Sequence, residues 1–118
     1  MKTLVLGAST KPERYAYKAI EKLIAHKHEV LALGFRAGEV LEHSIETEKR
    51  LWEGVDTVTL YLGPARQEAY FDYVISLKPR RVLFNPGTEN AAFEAVLQAN
   101  GIQAERACTL VLLATNQY

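Results

Sequence analysis

The sequence predicts a doubly wound α/β fold, a mainly parallel sheet of about five strands with helices on both faces. Three observations carry this prediction. Short apolar runs alternate with segments whose apolar residues recur at helical spacing, the pattern of parallel strands joined by right-handed crossovers. Glycine or Pro-Gly follows the strand runs, in segments 7–14, 34–36, 62–64 and 85–88. The 118 residues, 48% hydrophobic and 24% charged, fit one globular domain spanning 1–118. A chain of that size buries roughly two-thirds of its unfolded surface.

Each element follows from its residues. Leu4, Val5 and Leu6 form the first strand, expected at the centre of the sheet, and it stops at Gly7. Ala16, Ala19, Ile20, Leu23 and Ile24 give the first helix a single apolar face. The second strand spans 29–33 and ends at Gly34. Segment 37–53 carries the weakest pattern: Val40 and Leu41 read as a short edge strand, and 45–52 as a polar turn or helix. The β-branched and aromatic run 57–62 is a strand closed by Gly63-Pro64. Segment 66–77 reads as a helix, with Tyr70, Val74 and Leu77 on one side and Pro79 beyond its end. A strand over 81–84 leads to Asn85-Pro86-Gly87, after which Thr88 caps a helix that runs to Asn100 and stops at Gly101. Residues 102–105 make a short last strand, and the apolar segment 109–115 reads as a helix.

Composition excludes several classes. Lysine plus arginine equals aspartate plus glutamate at 14 each, so no net field draws the chain to nucleic acid or to an anionic membrane. No apolar run approaches the ~20 residues of a membrane span, and the N-terminus lacks the shape of a signal peptide. The one cysteine, Cys108, has no partner for an internal disulfide, which fits a reducing cytoplasm. Nothing in the composition decides between a monomer and a homo-oligomer.

In a doubly wound sheet the ligand sits beyond the carboxyl ends of the strands. The candidate site is therefore the set of loops there, and the first is the richest. Gly7 permits a sharp turn, while Ala8 and Ser9 let a ligand approach the backbone. Ser9 and Thr10 bring hydroxyls, Lys11 and Arg14 bring charge, and Tyr15 follows. A helix start at this point aims unpaired N–H groups at an anion. Thr10 has a second reading, because Thr10-x-x-Glu13 with Pro12 in the first turn fits a capping box. The turn has one glycine where the dinucleotide fingerprint has three, which argues against ordinary NAD binding. Gly34-Phe35-Arg36 ends the second strand without the acid that grips an NAD ribose, and Arg36 either suits a phosphorylated ribose such as that of NADP or coenzyme A or is a solvated loop cation. Phe35 either flanks an adenine or enters the core. Leu62 and Pro86 complete the set from the later loops.

Gly7-Ala8-Ser9, Lys11-Pro12-Glu13-Arg14 with Tyr17 beyond, a second strand ending in a basic loop, and a late single cysteine together resemble the small stand-alone CoA-binding proteins. These are Rossmann-like domains similar to the CoA-binding part of the succinyl-CoA synthetase α subunit. The resemblance spans nearly the whole chain and is most specific in its Lys-Pro-Glu-Arg segment. It implies that Gly7, Ser9, Lys11 and Arg14 line the nucleotide phosphates and that Gly34, Phe35 and Arg36 meet the adenosine end. The sequence departs from the family in two places. Ala16 stands where a serine is common, and Gly34-Phe35 replaces an asparagine-proline pair.

Catalytic signals are weak. His26 and His28 fall at the end of the first helix and His43 in the weak segment, none beside a glycine. No paired carboxylates or nucleophile–base spacing stand out. Cys108 either meets the thiol end of CoA or sits inert beside Leu110, Val111, Leu112 and Leu113. The expectation is a non-catalytic module that binds CoA or an acyl-CoA as its small-molecule partner. The alternatives are an NADP-dependent reductase-like domain and an interaction protein whose nucleotide site is empty.

Overall fold

The computed structural model describes residues 1–118. Its strands are β1 (Thr3–Leu6), β2 (Val30–Leu33), β3 (Gly38–Val40), β4 (His43–Glu46), β5 (Thr57–Leu60), β6 (Arg81–Phe84) and β7 (Gln103–Arg106). Its helices are α1 (Tyr15–Ala25), α2 (Pro64–Gln67), α3 (Phe71–Leu77), α4 (Ala91–Ala99) and α5 (Thr109–Ala114). The strands form one sheet in the order β3-β4-β2-β1-β5-β6-β7. Every pairing is parallel except that of β3 with β4. This is a Rossmann-like α/β architecture.

All four residues of β1 are buried, as a central parallel strand covered on both faces requires. The two-residue period then sorts its side chains between two cores. Leu4 and Leu6 join Val58, Leu60, Val82 and Phe84 beneath α3 and α4, which contribute Val74, Leu77, Phe93 and Leu97. Val5 joins Ala32 and Ile45 on the opposite face, beneath Ala16, Ile20 and Leu23 of α1 and Leu113 of α5. Phe93 anchors the first core: its ring stacks on Phe71 with centroids 4.2 Å apart and meets Phe84 edge-on at 5.6 Å.

From β1 the chain lays down β2, then β3 and β4 as a hairpin whose β4 pairs with β2, and it returns to β5 and continues to β6 and β7 on the other side. The reversal lies between β1 and β5, so their carboxyl ends diverge into loops that leave a crevice.

Several expectations need correction. The sheet has seven strands, not about five, because segment 37–53 holds a hairpin instead of a lone edge strand and a helix. Ile45, expected in a polar turn or helix, is a strand residue that pairs with Ala32 and is buried against α1's core. Leu41 lies in the turn rather than the strand. The helix expected from Arg66 starts at Pro64 and is broken by a 3₁₀ turn over Glu68–Tyr70. Thr88 does not cap α4; its hydroxyl donates to the Asn85 carbonyl at 2.7 Å, and Asn90 accepts from the Phe93 N–H instead. The last strand is shifted by one residue, and Gly101 holds φ +74° just past α4, as expected of a helix stop.

Candidate functional site

A cleft of about 620 Å³ opens at the carboxyl ends of β1 and β5. Sites for small cofactors run to roughly 300–1,000 Å³. Gly7, Ala8, Ser9, Thr10, Lys11 and Arg14 form one wall, Phe35 and Arg36 a second, and Tyr61, Leu62, Gly63 and Arg66 a third.

The first wall owes its shape to glycine. Gly7 has φ +100°, and a Cβ there would lie 2.8 Å from the Tyr61 carbonyl carbon. The N–H groups of Gly7 and Ala8 both donate to the Leu33 carbonyl, at 2.8 and 3.0 Å, which fixes the loop to the end of β2. Beyond them the chain stops satisfying itself. The N–H groups of Ser9 and Thr10 find no acceptor in the protein. The Ser9 hydroxyl accepts from the Lys11 N–H at 3.1 Å, leaving its own proton free to donate.

Helix α1 starts at Tyr15 with Arg14 at its N-cap, and no side chain caps it and no acid lies in its first turn. The capping box read into Thr10 and Glu13 therefore does not form. Its first N–H groups and the positive end of its dipole remain for an anion. Thr10 instead lies against Gly38, where an added Cβ would come within 2.5 Å of its methyl carbon.

Electrostatics sharpen the picture. Lys11, Arg14, Arg36 and Arg66 line the cleft and no carboxylate does, in a chain whose charges balance overall. None of the four makes an ion pair with the protein. Arg66 places its guanidinium 5.0 Å from the centroid of the Phe35 ring, across the cleft mouth.

Tyr61 belongs to the third wall. Burial pushes its phenol up to about 12. The Thr59 and Thr109 hydroxyls bond each other at 2.8 Å, and Thr59 also receives the Asn85 amide at 2.7 Å. The Tyr61 hydroxyl is left buried without a partner. The ring is thus a neutral wall throughout the physiological range.

Nine of the twelve residues expected at the site lie around this cleft: Gly7, Ala8, Ser9, Thr10, Lys11, Arg14, Phe35, Arg36 and Leu62. Three do not. Tyr15 points its ring to solvent, 68% exposed, under Lys18. Gly34 lies behind the wall, where a Cβ would come within 2.5 Å of the Ala8 carbonyl oxygen. Pro86 stands apart because its loop is a fastener. Buried Gln67 donates to the carbonyls of Leu62 and Thr88, at 2.9 and 2.7 Å, and Asn85 accepts from the Thr109 N–H at 2.8 Å. Phe35 is outside the core, at 54% exposed. Sequence reasoning placed Gly63 in the loop set without singling it out, and it missed Tyr61 and Arg66, which flank the Gly63-Pro64 turn.

The chain is similar to several proteins of known structure. One, described only as uncharacterized, is 50% identical over 99% of this chain and 97% of its own, with a TM-score of 0.98. A Thermus thermophilus protein is 23% identical, with 99% and 90% covered and a TM-score of 0.88. A hypothetical protein of Pyrococcus horikoshii is 22% identical, with 92% and 78% covered and a TM-score of 0.85; these last two likenesses speak to fold alone. No curated protein matches the sequence. Residues 1–114 match the family of CoA binding domains, and with that match spanning nearly its full length, the chain belongs to the CoA binding domain family.

Proposed function

We propose that the cleft binds coenzyme A or an acyl-CoA, and that the chain acts as a binding module without a catalytic centre of its own. The observation that carries this is four unpaired cations and no acid around unsatisfied backbone N–H groups. That donor set suits two anionic groups a ribose apart. Ser9, Thr10, Lys11 and Arg14, with the start of α1, take the pyrophosphate. Arg36 takes the ribose phosphate, which carries about −1.5 to −2 charges at neutral pH. Leu62 and the Tyr61 ring supply apolar surface for the pantetheine arm. A lone cysteine with no disulfide partner supports a cytoplasmic setting.

Calorimetric titration with CoA, dephospho-CoA, NADP and AMP tests the reading. CoA binds tightest, and dephospho-CoA about tenfold or more weaker, since a charged contact is worth about 1.5–3 kcal/mol. Arg36→Ala removes that difference. Equal affinity for the two CoA forms in the unaltered protein sinks the role of Arg36. Preference for NADP favours the reductase-like alternative, and no binding at all favours an interaction protein with an empty site.

A further inference from the structure

We infer that Phe35 and Arg66 are the two jaws of a purine clamp, which takes the adenine of the bound nucleotide between the phenyl ring and the guanidinium; this rests on the CoA reading of the cleft. The two residues come from opposite banks, Phe35 from the loop after β2 and Arg66 from α2 after β5. They meet across the mouth with the guanidinium carbon 5.0 Å from the ring centroid. Phe35 is 54% exposed and Arg66 is exposed as well, so neither is held there by a core. Arg66 has no carboxylate partner, and its guanidinium lies over the ring.

A planar base stacks at about 3.5 Å on each face, so a base between two planes needs them about 7 Å apart. With the guanidinium carbon 5.0 Å from the ring centroid, the present separation is at least about 2 Å short of that. Only Arg66 need move, and its flexible stem allows this while the Phe35 backbone stays. Entry of the base then replaces one cation–π contact with two stacking contacts. Arg36, adjacent to Phe35, then meets the phosphate on the ribose attached to that base. The arrangement provides flat-face recognition without reading the base edge, so it favours large purine surfaces over pyrimidines and adds no selectivity for the exocyclic amine.

The test combines calorimetry with proton NMR of the CoA complex. Phe35→Leu keeps an apolar side chain but loses the flat face, and CoA affinity falls about tenfold. Phe35→Trp restores it. Arg66→Lys keeps the charge but loses the plane, and CoA affinity falls severalfold. In the unaltered complex, the adenine protons show NOEs to the Phe35 ring. CoA binding that shifts the Ser9 and Thr10 amides, but shows no such NOE and is unchanged in Phe35→Leu, overturns the clamp and leaves the cleft reading intact. Absence of CoA binding to the unaltered protein overturns both. Exposed Phe35 makes these variants safe for folding, which circular dichroism verifies.

Discussion

Gly34 and Ala8 touch where β2 and β1 end: a Cβ on Gly34 would lie 2.5 Å from the Ala8 carbonyl oxygen and 3.2 Å from a methyl of Ile45. The contact brings two walls of the cleft together, since Gly7 and Ala8 also donate to Leu33. Neither neighbour can yield, one being backbone and the other a buried strand residue. Gly34→Ala is expected to destabilise the fold by about 1–3 kcal/mol, as overpacking does. Urea denaturation reads this as a lower midpoint at unchanged slope. An unchanged midpoint means that the two loops are not in contact.

Gly7 is constrained twice, by φ +100° and by the Tyr61 backbone. Gly7→Val therefore affects stability as well as ligand binding. Backbone strain alone costs on the order of 1–3 kcal/mol, and the 2.8 Å approach to Tyr61 adds to it. A thermal melt with several degrees' loss fits this account; a wild-type melt contradicts it.

The core beneath α3 and α4 turns on Phe93, which is fully buried between Phe71 and Phe84. Phe93→Ala should cost about 3–5 kcal/mol, combining lost transfer energy with a cavity. Phe93 does not line the cleft, which makes it a control: a fold-competent variant retains nucleotide affinity.

Asp56 and Arg80 form a two-pronged pair at 3.0 and 3.1 Å at the opposite end of the sheet. The Arg80 guanidinium holds the Asp56 carboxyl below its ordinary value of 3.8, helped by the Thr57 hydroxyl and opposed by partial burial. Unfolding releases that hold. The pair's contribution is thus fully present above about pH 3.8 and is lost as pH falls through the lower folded value. The effect is small because Arg80 is half exposed. Asp56→Asn should melt slightly lower than the wild type at neutral pH, with the gap closing in strong acid. A gap that persists there means the carboxylate is not the source.

The fold was legible where a physical pattern is local. Leu4, Val5 and Leu6 announce a strand buried on both faces, and Ala16, Ile20 and Leu23 a helix with one buried side. The hairpin of β3 and β4 was not legible. Its two-residue turn is Leu41-Glu42, with φ of +49° and +70°. Such turns normally announce themselves with Asn-Gly or Asp-Gly. The hairpin is held by burial of Val40 and Ile45 against α1 rather than by turn preference. The candidate site divides the same way. Its first wall is contiguous in sequence, so most of its residues could be read directly. Arg66 lies on another element, and only the crossing of the chain between β1 and β5 brings it opposite Phe35.

The central claim is that the loop from Gly7 to Arg14 holds the phosphates of CoA. The most direct measurement follows backbone amide NMR signals during titration with CoA, in the wild type and in a Lys11→Ala/Arg14→Ala double variant. The account predicts the largest shifts at Ser9 and Thr10, whose N–H groups have no acceptor in the protein, with affinity at least tenfold lower in the folded double variant. Shifts centred elsewhere, or an affinity that survives loss of both cations, would contradict it.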